Sequence, residues 1–266
     1  MRSIPPEIKS LFIDELSRSD PDALSALSLA WRDALPFTRD LRFKDLRVFK
    51  RPQMAALLAV VDGSPEVSAT IRTIYIELGS SPAALEIPDA LNLKQLTIND
   101  TCYLPSQAFS VSLRKCMHLT TLSLFHVVSK QLCDLFNIIS SIPHLRTLKL
   151  RYLNIEDVFK ISMGIWGRRT AALWSGSPPW DRSGVETPKP VLQVDCLELE
   201  VHTASDLMLL DLISTSETPF PNLQEITIRD YVAQSKGCTR FCALLREYHS
   251  SLRVVDLGES LTDNSG

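Results

Sequence analysis

The apolar residues of this chain recur in one spacing between positions 71 and 257. In each copy they occupy the first, fourth and sixth positions, and the residues between them are mostly polar. Because successive side chains of a strand point to opposite faces, the fourth and sixth residues would be buried and the fifth would point outward. The seven copies predict seven short strands, which are Ile71/Ile74/Ile76, Leu93/Leu96/Ile98, Leu119/Leu122/Leu124, Leu145/Leu148/Leu150, Val194/Leu197/Leu199, Leu223/Ile226/Ile228 and Leu252/Val255/Leu257.

The intervals between these copies define a repeat. Their first positions are 22, 26, 26, 49, 29 and 29 residues apart, and 49 is about two units. From Ile71 to the C-terminus the period resembles that of leucine-rich repeats. The asparagine that normally follows the strand in that family is absent from all seven copies, so we expect irregular turns and uneven curvature.

Between the strands the apolar spacing changes to that of a helix. Pro143 and Pro221 each stand two residues before a strand's first leucine, where a helix must end. One strand and one helix per unit predict an α/β fold, a leucine-rich-repeat solenoid of short parallel strands with outer helices. The helical sets are Leu132/Leu135/Phe136/Ile139, Leu207/Leu210/Ile213 and Phe241/Leu244/Leu245/Tyr248.

The segment 167–190 interrupts this rhythm with three glycines and four prolines, and it accounts for the doubled interval. Its composition predicts a loop insertion. Trp174 and Trp180 leave two interpretations open. They would either form an aromatic flap that grips a partner or lie against the repeats.

The N-terminal residues have a different pattern, that of two helices. Behind Pro5 and Pro6, apolar residues at helical spacing predict a first helix over 4–16. Asp20 before Pro21 is typical of a helix cap, and a second helix should continue until Pro36 ends it. The apolar positions are Ile8, Leu11, Phe12 and Leu16 in the first helix and Leu24, Leu27, Trp31 and Leu35 in the second.

Within residues 4–49, the runs Ile4-Pro5-Pro6-Glu7-Ile8, Asp20-Pro21-Asp22-Ala23-Leu24, Leu27-Ser28-Leu29 and Leu35-Pro36 resemble the F-box of a large family found in mushroom-forming fungi. The resemblance implies that this segment docks on the Skp adaptor of a cullin-based ubiquitin ligase, while the repeats hold a protein substrate. It departs at Ala34, where the family usually has tryptophan. The positions carried over for adaptor binding are Ile4, Pro5, Glu7, Ile8, Leu11, Phe12, Leu24 and Leu27.

Two other interpretations concern the same region. In the first, the N-terminal helices do not dock on an adaptor and serve only to cap the open end of the repeats. Residues 39–51 carry six basic and two acidic residues alternating with apolar ones, which predicts either the solvated face of a leading strand or a docking patch for an acidic partner. We therefore divide the chain into an F-box-like helical segment with a leading strand, 1–49, and the repeats, 50–266.

The outward strand positions predict a polar binding face. Seven strands at about 4.8 Å spacing would span roughly 30 Å, enough for a protein footprint. Lys149 and Arg151 should lie beside Glu198 and Glu200, where they would either pair internally or engage a substrate together with aromatic neighbours. The face positions are Tyr75, Glu77, Gln95, Thr97, Asn99, Ser123, Phe125, Lys149, Arg151, Glu198, Glu200, Glu225 and Arg229.

Composition narrows the possible partners. The net charge of −3 offers no broad positive field, so nucleic acid is not an expected partner. Charged residues near the N-terminus leave no room for a secretory signal, and the longest apolar run, 54–61, is too short to span a membrane. The six cysteines are therefore expected as reduced core residues without disulfides, in a cytoplasmic or nuclear protein.

Sequence patterns of catalytic or metal chemistry are absent. The chain has no phosphate-binding glycine loop, nucleophile elbow or paired-histidine zinc helix, and Cys238 and Cys242 lack a second pair of ligands. We expect no cofactor, no metal and no enzymatic activity. The predicted function is an F-box substrate receptor of a cullin ubiquitin ligase, and the alternative is a repeat scaffold for protein interactions with no ligase link.

Overall fold

A computed structural model describes most of the predicted strands and several of the helices. The predicted insertion at 167–190 and the helical set at 207–213 lie outside the described residues. The described residues are 5–20, 23, 26–27, 35–79, 87–88, 92–99, 106–130, 132–156, 192–200, 220–229, 242, 244–246 and 248–257.

The first helix, α1, spans Pro6–Ser19 and has Pro6 in its first turn. Proline is tolerated there because first-turn amides have no partner within the helix. The predicted cap at Asp20 is also present, since the Ala23 backbone N–H donates to Asp20 Oδ1 over 2.9 Å. Ala23, Ala26 and Leu27 are helical, in agreement with a second helix in this region.

The next helix, α2, covers Leu35–Lys44 and corrects two predictions. Pro36 does not end a helix, because it lies within α2. The leading strand is also shorter than predicted, since only Asp45–Val48 forms a strand, β1. The alternation of apolar residues over 39–48 favoured a strand. Leu41 and Phe43 instead belong to α2, and their side chains pack against the small and the main apolar cluster respectively.

Two helices follow β1, namely α3 over Arg51–Gly63 and α4 over Pro65–Thr70. At the start of α3, Gln53 Oε1 accepts hydrogen bonds from the backbone N–H groups of Phe49 and Lys50, at 2.9 and 3.1 Å. These bonds satisfy amides that the first helical turn leaves free. The apolar run 54–61 lies in α3 and is buried on one side only, at Met54, Leu57 and Val61.

The rest of the described chain contains nine strands and two helices. Its elements are β2 (Thr73–Glu77), β3 (Gln95–Asn99), α5 (Ser106–Lys115), β4 (Thr121–Phe125), β5 (Val128–Ser129), α6 (Leu132–Ser140), β6 (Thr147–Arg151), β7 (Asn154–Ile155), β8 (Cys196–Glu200), β9 (Glu225–Arg229) and β10 (Val254–Leu257).

Eight of these strands form one parallel sheet in the order β1-β2-β3-β4-β6-β8-β9-β10. The seven predicted strands are therefore neighbours in chain order, and β1 adds an eighth at one edge. All the pairings are parallel, which confirms an α/β architecture with a large parallel sheet. The short strands β5 and β7 pair with each other as a separate sheet.

The strand register aligns the repeat positions across the sheet. Two buried ladders result, because residues with the same repeat position pair in every neighbouring strand. Helices α5 and α6 cover this face with buried Phe109, Leu113, Leu135 and Phe136. The ladders are Ile74–Leu96–Leu122–Leu148–Leu197–Ile226 and Ile76–Ile98–Leu124–Leu150–Leu199–Ile228, with exposed fractions of 0–2%.

The seventh copy differs from the other six. Strand β10 continues both ladders in register, yet Val255 is 43% exposed and Leu257 is 55% exposed. The prediction that these residues are buried is wrong. Among the described strands, β10 is at the edge of the sheet and pairs with β9 alone, so no described strand covers its outer side.

Two turns after neighbouring strands share one geometry, although irregular turns were expected. His126 and Tyr152 directly follow β4 and β6, and both have a φ of 52°. Their rings stack with centroids 4.4 Å apart and planes 7° apart. Val127 and Leu153, at the position where the repeat family has asparagine, are both buried. Apolar burial and ring stacking thus accompany this turn in the absence of an asparagine.

Candidate functional site

Helix α1 has one buried side and one apolar side open to solvent. Ile13 is fully buried against the half-buried Leu16, Leu27 and Leu41. This small cluster is separate from the main core that contains the sheet ladders. A second side of the helix carries three exposed apolar residues at i, i+3 and i+4, here called the α1 stripe: Ile8 (54% exposed), Leu11 (66%) and Phe12 (53%).

The α1 stripe contains three of the residues predicted to bind an adaptor. Pro5, immediately before α1, is also exposed. Leu27 is different, since it packs against Ile13 and so contributes to the small internal cluster. Glu7 falls in the first turn of α1, while Ile4 and Leu24 lie outside the residues whose surroundings the structure describes.

Sequence reasoning missed the importance of Ile13. The helical set Ile8, Leu11, Phe12 and Leu16 suggested a single apolar side, whereas the structure shows two. The spacing of three residues between Ile13 and Leu16 was the available signal, because residues three apart share one side of a helix.

The polar face of the sheet contains a hydrogen-bonded group on β2 and β3, here called the tyrosine cluster: Tyr75, Glu77 and Asn99. The Tyr75 hydroxyl donates to Glu77 Oε2 over 2.6 Å, and Asn99 Nδ2 donates to the Tyr75 hydroxyl over 2.8 Å. The hydrogen bond to Glu77, together with burial, raises the pKa of Tyr75 above its usual 10.0. Phe49 lies beside the Tyr75 ring at a centroid distance of 6.1 Å.

Strands β6, β8 and β9 bring five charged residues together on the same face, here called the charged cluster: Lys149, Arg151, Glu198, Glu200 and Arg229. Lys149 Nζ lies 2.8 Å from Glu198 Oε2, and Arg151 Nη2 donates to Glu198 Oε1. Arg229 Nε lies 3.3 Å from Glu198 Oε1. Arg151 Nε faces Glu200 Oε2 at 3.3 Å, as an ion pair without hydrogen-bond alignment.

Glu198 is the centre of this cluster, because three cations surround its carboxylate. Burial by itself would raise the pKa of Glu198, but hydrogen bonds from Lys149 and Arg151 outweigh it and lower the pKa below the usual 4.5. The carboxylate is therefore ionised at neutral pH. Arg151 also lies over the Phe125 ring, with the guanidinium carbon 5.0 Å from the ring centroid. Such a contact is favourable, since the ring face attracts cations.

The expected charge pairing across β6 and β8 is confirmed, and it occurs within the protein. The register places Lys149 opposite Glu198 and Arg151 opposite Glu200. Four of the residues predicted to point outward on this face are nevertheless buried: Thr97, Ser123, Glu198 and Glu200. Thr97 and Ser123 have short side chains that lie in one row between Tyr75 and Lys149, and both glutamates lie within the charged cluster.

The remaining face positions are more accessible. Gln95, Glu225 and Arg229 are exposed, and Tyr75, Glu77, Asn99, Phe125, Lys149 and Arg151 are half-buried. The face therefore has two separate polar groups, with the tyrosine cluster towards β2 and the charged cluster towards β9.

The three cysteines that the structure describes have different surroundings, and none of the three forms a disulfide. Cys116 is buried and Cys196 is half-buried, but Cys242 is exposed, so the expectation of a core position is wrong for this residue. Burial, and next the charge of Glu225, raise the pKa of the Cys196 thiol. A raised pKa makes the thiol a poorer nucleophile at neutral pH. Within the described residues, no group of three or more potential ligands is placed to hold a metal ion.

None of the helices in the described part of the chain combines the length and the apolar character needed to cross a membrane. Comparisons of the chain with protein-family models, with curated proteins and with solved structures found no match.

Proposed function

We propose that this protein is a substrate receptor of a cullin-type ubiquitin ligase. In this proposal the α1 stripe binds the Skp adaptor, and the polar face of the sheet binds a protein substrate. Other subunits carry out the ubiquitin chemistry, in the cytoplasm or the nucleus. The observation that carries the proposal is the exposure of Ile8, Leu11 and Phe12 together on one side of α1.

An exposed apolar stripe favours docking for an energetic reason. Complete burial of an aliphatic or aromatic side chain stabilises by about 1.5–3 kcal/mol. Ile8, Leu11 and Phe12 are each more than half exposed, so a partner that covers them would recover on the order of 1 kcal/mol from each. Amphipathic helices commonly bind partner proteins through anchors at this i, i+3, i+4 spacing.

The alternative, a repeat scaffold in which α1 is only a cap, fits the packing less well. A cap would direct its apolar side chains into the core that it closes. Ile13 instead packs with Leu16, Leu27 and Leu41 in a cluster separate from the main core, and the residues of the α1 stripe are exposed and belong to neither cluster.

Co-purification of the full chain with a fungal Skp adaptor tests the proposal. We expect the wild-type chain to bind, and the variants Ile8→Glu and Leu11→Glu to lose binding while keeping the wild-type melting temperature. The matched control is Val111→Glu, which places the same charge on an exposed apolar residue of α5. This variant should bind the adaptor as the wild type does.

Two outcomes would overturn the adaptor proposal. One is a wild-type chain that does not bind the adaptor, and the other is a Leu11→Glu variant that binds as strongly as the wild type. Loss of cooperative melting in Leu11→Glu would instead support the cap function, because a charge would then have been placed in a packed interface.

A further inference from the structure

We infer that the charged cluster is the docking point for an acidic segment of the protein substrate, an inference that rests on the substrate-receptor function proposed above. The polar face of the sheet carries both signs of charge in nearly equal number, and the sequence therefore left the charge of its partner open. Within the charged cluster, the two signs lie at different depths, although Glu225 elsewhere on the same face is exposed.

The carboxylates of the charged cluster are buried and the cations are more exposed. The side chains of Glu198 and Glu200 are each 7% exposed, whereas Arg151, Lys149 and Arg229 are 29%, 36% and 49% exposed. An approaching molecule therefore meets ammonium and guanidinium groups first. The carboxylates contribute by holding these cations in position from beneath.

The cations are also incompletely neutralised. Three cations face two carboxylates, which leaves the cluster with a net charge of +1. The ion pairs of Lys149 and Arg229 both end on Glu198, which also accepts from Arg151. A single carboxylate shared by three cations leaves donor capacity on each of them, since an ammonium has three N–H donors and a guanidinium has five. Carboxylates of an acidic segment can use those donors.

One aromatic ring lies against a cation of the cluster, and two more follow it directly in the chain. Phe125 lies under Arg151, and the stacked rings of His126 and Tyr152 directly follow Phe125 and Arg151 in the chain. Both ring residues are exposed, Tyr152 by 37%. Aromatic and arginine side chains dominate the binding energy of many protein interfaces, so the surface offers anchors for apolar residues within an acidic segment.

The charge of the whole chain favours a peptide over a nucleic acid as this anionic partner. The chain carries −3, and the positive charge of the cluster is confined to one part of the polar face. Binding of a polyanionic backbone depends on many cations spread along its path. A compact group of three cations beside aromatic rings matches a short acidic segment better.

Fluorescence anisotropy with labelled peptides tests the inference. Three probes of equal length are used with the full chain at low salt: alternating Ser-Glu, Ser-Gln and Ser-Lys peptides. We expect the Ser-Glu peptide to bind most strongly and its binding to weaken as salt is added. The variants Arg229→Gln and Lys149→Gln should each weaken it about two- to fivefold, as expected for exposed charge pairs.

Arg114→Gln is the matched control. It makes the same substitution at an exposed arginine of α5, the helix that covers the opposite face of the sheet, and it should leave peptide binding unchanged. Three results would overturn the inference: no binding of the Ser-Glu peptide, equal binding of the Ser-Lys peptide, or equal loss in Arg114→Gln and Arg229→Gln. Tight binding of a labelled single-stranded oligonucleotide, lost in Arg229→Gln, would overturn it in favour of nucleic acid.

The experiment separates this inference from the proposed ligase function. Leu11→Glu should lose the Skp adaptor and bind the Ser-Glu peptide as the wild type does, whereas Arg229→Gln should keep the adaptor and bind the peptide about two- to fivefold more weakly. If the wild type binds the peptide but not the adaptor, the ligase function fails and an acidic-segment binding face remains. If it binds the adaptor but not the peptide, only the acidic-segment inference fails.

Discussion

The two faces of the eight-stranded sheet arise from the same strands but are stabilised in different ways. On one face, Leu124 and its ladder neighbours on the interior strands are almost completely removed from water, and their contribution depends on volume and contact. On the other face, Glu198 is also buried, and it is stable there because three cations surround its carboxylate. An apolar side chain gains free energy from burial by itself, whereas a carboxylate loses free energy unless partners compensate it.

This difference predicts unequal consequences of substitution on the two faces. The apolar face should supply most of the stability, while the polar face should supply the geometry that a binding partner recognises. The experiments below test that division in order of decreasing expected effect.

The largest effect is expected in the centre of the apolar face. Leu124→Ala should lower the free energy of unfolding by about 2–5 kcal/mol, because it removes a fully buried side chain and leaves a cavity. Leu257→Ala is the matched control, since Leu257 continues the same ladder but is 55% exposed. We expect it to cost less than about 1 kcal/mol. Urea denaturation measures both, and equal losses would contradict the assignment of β10 as an exposed edge.

An intermediate effect is expected on the polar face. Glu198→Gln should destabilise the protein by about 1–3 kcal/mol, because Lys149, Arg151 and Arg229 would lose their shared counter-charge. Glu66→Gln is the control. Its carboxylate also pairs with an arginine, Arg39, but its side chain is 76% exposed. An exposed pair contributes less than about 1 kcal/mol. Chemical denaturation that gives the same loss for both variants would argue against a buried network.

The same carboxylate predicts a pH dependence. Because the folded-state pKa of Glu198 lies below its usual 4.5, its charge stabilises the protein above that value. The contribution should disappear as the pH falls through the lowered folded-state pKa. Denaturation curves of wild type and Glu198→Gln should therefore converge on acidification below about pH 4.5. A stability difference that stays constant over this range would show that Glu198 is not stabilised as an anion.

The smallest effect is expected at the tyrosine cluster. Tyr75→Phe removes a hydroxyl that donates to Glu77 and accepts from Asn99, and it should cost about 0.5–1.5 kcal/mol. Glu77→Gln should lower the raised pKa of Tyr75 towards 10.0, because the hydrogen bond to Glu77 is its main cause. Ultraviolet titration of tyrosinate, with Tyr75→Phe as the blank, measures the change. An unchanged titration would mean that burial alone raises this pKa.

Much of the sheet was predictable from local spacing. The triplets such as Leu119/Leu122/Leu124 identified the strands, their order and the side of each strand that is buried. That success has a physical reason, since a one-residue shift of a strand would move all its apolar side chains into water. Pro36 and Leu257 were misjudged because local spacing does not report which neighbours a residue will have.

The candidate sites were predictable only in part. Helical spacing identified Ile8, Leu11 and Phe12 as one apolar surface, but only the packing of Ile13 shows which side of α1 faces inward. Likewise, register alone placed Lys149 beside Glu198. It did not show that the carboxylates are buried while the cations reach the solvent. The left-handed turns at His126 and Tyr152 had no recognisable sequence signal.

The sequence by itself determined a parallel arrangement of short strands, because a repeated apolar spacing can be buried in few other ways. Only the tertiary structure decided which side chains are removed from water and which charged groups are more exposed than their partners. The burial of a side chain depends on residues brought together from distant parts of the chain, such as Lys149, Glu198 and Arg229. No local sequence pattern contains that information.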